Sequence, residues 1–216
     1  MTVTIRYGMP KYPSAAITPY RSLTQVVAPV VEPVSLAEAK AQCRIDSEAE
    51  DALVQSYITM SRQYVEDILD TSLITQTWEA RYDTFPLWEI VLPRPPMAPQ
   101  AVTVTYRNEA GVDGTLTSVG GDFQVDSAVV PGRIYPNYNG VWPAVRGDEN
   151  SVVVRWVAGY GTSGFNVPAI ARQLILLQVA HLFENRQPVV MGYSQVLPVP
   201  QTFETLLAAS SWGVYR

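Results

Sequence analysis

The stretch Val167–Arg186, VPAIARQLILLQVAHLFENR, decides how the rest of the chain is read. Pro168 stands where a first helical turn tolerates a missing N–H, with Asn166 and Val167 in the cap region. The spacing Ile170, Leu174, Leu177, His181 marks an inward stripe, widened by Leu176, Ala180 and Phe183. Charge is held to Arg172 near the start and to Glu184 and Arg186 at the end. A helix of about 18 residues this apolar has to be wrapped by other elements, so it is expected to be the central core helix.

Upstream, the apolar period changes. From Thr75 to about Ala158 it is two: Trp78, Ala80 and Tyr82 alternate with Thr77, Glu79 and Arg81. Further strands are expected at Glu89–Leu92, Ala101–Arg107, Thr115–Ser118, Asp122–Val125, Gly132–Tyr135 and Ser151–Ala158. Turn signals separate them: Pro93 to Pro96, Gly111 to Gly114, Gly120-Gly121 and Arg146 to Asp148. Runs this closely punctuated favour antiparallel hairpins. Before them the period is helical. Ser35-Leu36-Ala37-Glu38 fits a capping box opening a helix to about Arg44, with Leu36, Ala39 and Cys43 on its inner face. A second helix is expected over about 48–70, capped by Asp46 or Ser47, with Ala49, Ala52, Leu53, Tyr57, Met60, Tyr64, Ile68 and Leu69 as its apolar positions.

The fold class that follows is α+β: a small helical bundle around the central helix, with an antiparallel β-domain inserted between helices and extended arms at both ends. The boundaries read 1–33 for the N-terminal arm, 34–74 with 165–190 for the helical body, 75–158 for the β-domain and 191–216 for the C-terminal arm. The first arm carries prolines at 10, 13, 19, 29 and 33 and no sustained period, so it is either disordered or docked on a neighbour. The last arm holds a short helix at about Gln201–Ala209 and then Trp212 and Tyr215. Aromatics at a chain end suggest burial in something else, since termini are normally polar and frayed.

Composition narrows the function. The chain has 216 residues, 47% of them hydrophobic and only 16% charged, a shortage that suggests surface covered by neighbouring subunits. A net charge of −5 argues against a grip on duplex DNA, which needs clustered cations. One cysteine leaves no internal disulfide and no cysteine-based zinc site; Cys43 reads as a small core residue. Neither a secretory leader nor a membrane-spanning run is visible, so a cytoplasm-like compartment is expected.

No catalytic constellation stands out, and neither cofactor nor metal is expected. Gly159-Tyr160-Gly161-Thr162-Ser163-Gly164 follows a strand and precedes a helix, as a dinucleotide fingerprint does. Its third glycine does not open the helix, and Glu184, about 20 residues on, lies inside a helix instead of ending a second strand. His181, the lone histidine, falls on the inner stripe and reads as a hydrogen-bonded core residue. The carboxylates from Asp46 to Asp51 lack the glycine and layout of a calcium loop. Acidic residues crowd both ends of the second helix: Asp46, Glu48, Glu50 and Asp51, then Glu66, Asp67 and Asp70. The second group opposes the helix dipole, so it serves another purpose or sits in solvent.

Several stretches taken in order resemble a known family. They are PVSLAEAKAQCRID, then EAEDALVQSYITMSRQYVEDILDTSLITQTWE, then LPRPPM with VTVTYRNEAG, and last VRWVAGYG leading into VPAIARQLILLQVAHLFENR. Their order and spacing, from about Pro33 to Arg186, are similar to the head–tail connector (portal adaptor) proteins of long-tailed bacteriophages and gene-transfer particles, in the subgroup with an inserted β-domain. The resemblance implies a structural virion protein at the head–tail neck, made in the bacterial host cytoplasm and not an enzyme. It implies a ring, typically of twelve subunits, that sits under the portal protein, extends the DNA channel and carries the next neck or tail component, a stopper or tail terminator. DNA would pass through without specific binding. The family's C-terminal segment reaches the portal, which points here to Phe203, Leu206, Leu207, Trp212 and Tyr215. Glu48, Glu50, Asp51, Glu66, Asp67 and Asp70 are candidates to face the channel lumen, against the alternative of solvated helix ends.

Two other functions fit the same residues. One is a different neck, stopper or tail-completion part on the tail side, which portal binding would separate. The other is a monomeric module gripping sugar or peptide with Trp78, Trp88, Trp142 and Trp156, in which Trp142-Pro143 would form an exposed aromatic loop.

Overall fold

Ser35 and Glu38 start the helical part of the structure by capping each other's backbone. The Ser35 hydroxyl accepts from the Glu38 N–H at 3.2 Å, and the Glu38 carboxylate accepts from the Ser35 N–H at 2.8 Å. Helix α1, Leu36–Cys43, follows and ends on Arg44 in the left-handed conformation (φ 56°). The computed structural model describes residues 20–186 and 201–210, and its described residues form two compact units. Residues 20–29 and Thr75–Gly159 make one; Val30–Ile74 with 160–186 and 201–210 make the other.

The helical unit continues with α2, Asp51–Leu69. Neither Asp46 nor Ser47 caps it. Ser47 accepts the Ala49 N–H at 3.1 Å in a local turn, and the helix begins after Glu50 with no side-chain cap. Its inward face is Val54, Ile58, Ser61, Arg62, Val65 and Glu66, whereas Met60 and Tyr64 of the expected stripe are exposed. The expected face is therefore displaced. An ion network supplies the reason: Arg62 bridges Glu32 at 2.7 Å and Glu66 at 2.8 Å, and Glu66 also accepts the Leu73 N–H at 2.9 Å. Those polar anchors fix which side of α2 turns in.

Helix α3, Ala169–Glu184, is central as expected, packing against α1, α2 and α4 (Gln201–Ser210). Its buried residues are Ala171, Leu174, Ile175 and Val179. Ile170 is 37% exposed and His181 lies outside, so the core-histidine reading fails. A nearly all-apolar helix carries little phase information, and packing selects among equivalent stripes. Cys43 is half-buried against this core, and burial, with the Glu184 charge as a lesser cause, pushes its thiol up.

The β unit holds two antiparallel sheets. One has five strands in the order β1-β2-β8-β4-β5: Ser22–Val27, Gln76–Tyr82, Val152–Ala158, Met97–Arg107 and Asp113–Thr117. The other has β3-β7-β6: Ile90–Val91, Arg133–Pro136 and Phe123–Asp126. Val152, Val154, Trp156 and Ala158 of β8 alternate into the core and meet Ala80, Tyr82, Val102 and Val104 there. Strand β1 corrects the expected N-terminal arm. Residues 22–27 pair with β2 in the register Ser22↔Arg81 to Val27↔Thr77 and form an edge of the sheet.

The Gly159–Gly164 string turns the chain out of β8. Gly159 (φ 127°) donates its N–H to the Pro96 carbonyl at 2.8 Å, so that group is not offered to a phosphate. At Gly164 a Cβ would stand 2.4 Å from the Pro33 carbonyl oxygen, so only glycine fits.

Candidate functional site

The side chains singled out above fall into separate environments. Of the carboxylates around α2, Glu48, Asp67 and Asp70 are exposed. Asp51 pairs with Lys40 at 2.6 Å, and Glu50 with Arg186 at 2.6 Å. Glu66 is buried and turned inward on Arg62, so it is a core anchor and presents no charge to a surface. That role could not be read from sequence, because Glu66, Asp67 and Asp70 look alike there.

Helix α4 packs on its own chain. Phe203 is 5% exposed and lies 6.3 Å, ring to ring, from Tyr64; Leu206 and Leu207 are half-buried against the helical core. Among the described side chains of this helix, these three thus pack within the chain. Trp212 and Tyr215 lie outside the described residues.

The tryptophans do not form a common platform. Trp156 is fully buried, Trp78 is half-buried beneath Arg94, and Trp142 stacks on Phe85 at 5.0 Å between ring centres. The loop reading of Trp142 as an exposed aromatic is thereby corrected. Trp88 alone of these four is largely exposed, at 68%, and its carbonyl accepts the Trp142 indole N–H at 3.3 Å. That bond joins two loops, 83–89 and 137–142, which also expose Leu87, Tyr138 and Val141. Four large exposed apolar side chains on two joined loops are more than the scattered singles of an ordinary surface. Trp88 was visible in the sequence as a candidate; its three companions became visible only when the fold joined the loops.

On the five-stranded sheet a second polar group assembles that the sequence did not announce. Arg21, Arg81, Asn150 and Arg155 line an open depression of about 710 Å³ around Glu79. Arg155 and Arg81 each reach the Glu79 carboxylate at 2.7 Å. Burial pushes that carboxyl up, but the hydrogen bonds from the two arginines outweigh it and hold it below the ordinary glutamate value. Arg21 meanwhile bonds Asp83 at 2.9 Å and Glu149 at 3.1 Å. With each cation matched by a carboxylate, the depression serves as a strut for the sheet. Among the described residues no three histidine, cysteine or acidic side chains gather as metal ligands, and no helix is long and apolar enough to cross a membrane.

Comparison with known proteins gives one family match and several matches of fold. Residues 33–109, from the turn before α1 to just past the end of β4, match the family described as phage gp6-like head-tail connector proteins. A chain from the neck of an empty gene transfer agent particle, computed with C6 symmetry, superposes with a TM-score of 0.72 at 20% identity, covering 88% of this chain and 95% of that one. A chain from the virion of the native particle gives 0.71 at 19% identity, covering 88% and 94%. One from the native neck, computed with C12 symmetry, gives 0.60 at 19%, covering 86% and 94%. No curated protein matches the sequence. The chain is thus similar in sequence, over 33–109, to the phage gp6-like head-tail connectors, and in α+β fold, over most of its length, to proteins of gene transfer agent particles.

Proposed function

We propose that this chain is a structural neck protein, a head–tail connector that forms a ring under the portal, extends the DNA channel and seats the next neck or tail component. One joint observation carries the reading: the connector-family match over residues 33–109 lies inside a fold shared, nearly end to end, with neck chains of gene transfer agent particles. A ring of twelve copies is in keeping with the C12 symmetry of one of those necks. It also accounts for a chain with 16% charged residues that leaves Val30 93% and Phe165 90% exposed. The matched family is one of structural connectors, and no catalytic role is assigned here.

The portal contact is assigned to Trp212 and Tyr215 together with the outward side of α4, because Phe203, Leu206 and Leu207 already pack within the chain. The lumen is assigned to Glu48, Asp67 and Asp70, the members of the acidic set left open to solvent. A negative wall lets DNA slide, where cations would bind its phosphates. The assembled protein would reside in the particle neck after synthesis in the host cytoplasm.

The test is native mass, measured for the protein alone and mixed with its portal, beside a variant ending at Ser210. That truncation keeps α4 and removes both aromatics. A ring that forms on the portal and is lost on truncation supports the function and the anchor together. A ring that survives keeps the function and moves the anchor. Absence of any portal association overturns the adaptor reading in favour of a tail-side neck part.

A further inference from the structure

Two loops of the β unit converge on an apolar patch for which the described residues supply no cover. Leu87 is 82% exposed, Trp88 68%, Tyr138 87% and Val141 88%. The loops are held together from beneath by the Trp142–Trp88 hydrogen bond and the Phe85–Trp142 stack. The two loops are thus fixed to each other, which lowers the entropic cost of receiving a partner.

The chain itself provides an occupant at the right place. Strand β1 begins opposite the end of β2: the Arg21 N–H donates to the Arg81 carbonyl at 2.7 Å, and the Arg21 guanidinium bonds Asp83. Asp83 opens the loop that carries Leu87, so at most about 13 Å of chain separates the two residues. The described chain thus begins, at Tyr20, beside the strand end from which that loop leaves. As a whole residues 1–19 hold no sustained period, but Val3, Ile5, Tyr7 and Met9 alternate at their start and would share one face of an extended segment. From Tyr20 back to Met9 an extended chain reaches about 36 Å, more than enough to lie across both loops. Pro10, Pro13 and Pro19 reduce the freedom lost on docking. A tether this short holds the segment at millimolar effective concentration, which favours its own patch over a second copy's.

We propose that the face formed by Leu87, Trp88, Tyr138 and Val141 is the seat of the chain's own N-terminal segment, bound through Val3, Ile5, Tyr7 and Met9. Hydrogen exchange on the full chain and on a variant lacking residues 1–18 tests it, with the amides of 87–89 and 138–141 as readout. The expected result is exchange at least about tenfold slower in the full chain at both loops, unchanged when the protein is diluted about tenfold. Ile5→Ser with Tyr7→Ser should accelerate exchange as the deletion does. Equal rates at β8 in all three proteins would show that the unit stays folded. Equal loop rates in full and shortened chains overturn the seat. Protection that disappears on dilution overturns it too, and assigns the patch to contact between copies. Protection retained in the double variant overturns the apolar mode of binding.

Discussion

At the scale of single residues, two buried carboxylates show how differently the same chemistry can be held. Glu66 is matched by Arg62, whose side chain is only 6% exposed, with Glu32 on the other side. Replacing Arg62 by Ala leaves two carboxylates facing each other in a desolvated site, and should cost about 3–5 kcal/mol in urea unfolding at neutral pH. A loss below about 1 kcal/mol would mean that water reaches the site. Glu79 sits between arginines that are themselves half exposed. Its carboxyl lies below the ordinary value of 4.5, so its contribution is complete above that pH and is lost as pH falls through the lower folded value. The stability gap between the native protein and Glu79→Gln should therefore stay constant from about pH 7 to 5 and close in more acid solution. A gap that widens on acidification would reverse the sign. Neither environment can be read from sequence, because each needs a partner from a distant stretch: Glu32 reaches Arg62 across 30 positions, and Arg155 reaches Glu79 across 76.

At the scale of elements, local signals were legible and rotational ones were not. Ser35 and Glu38 lie three residues apart and interact through their own backbone, so the capping box could be read directly. Removing that cap with Ser35→Ala should cost about 1 kcal/mol in thermal or urea unfolding. Ser47→Ala should change stability by less than about 0.5 kcal/mol, since its hydroxyl closes a turn outside α2. Equal losses would show that Ser47 caps the helix after all. The strands of the β unit were legible for the same reason: alternation along 152–158 states which side is buried. In α2 and α3 apolar residues occupy more than one face, so Met60, Tyr64, Ile170 and His181 were placed inside although they lie outside. Strand β1 was hidden because its residues 24–27 are exposed and only its partner, β2, makes it a strand.

At the scale of the whole molecule, the proposed ring turns surface charge into a mechanical property. Reversing Glu48, Asp67 and Asp70 to Lys should leave particle assembly intact and slow DNA ejection, because a cationic wall holds phosphate. Unchanged ejection would remove these residues from the lumen. The candidate site was legible in the sequence to the extent that its acids and aromatics could be named; which of them are already engaged inside the chain was not. The Tyr160 N–H donates to the Leu73 carbonyl at 3.2 Å, where the β insertion leaves and re-enters the helical unit. Seen from that unit, the insertion is a splice whose two ends are already fastened to each other. Evolution can then lengthen or trim the hairpins between β2 and β8 without rewriting the helices, so long as β2 keeps the edge on which β1 pairs.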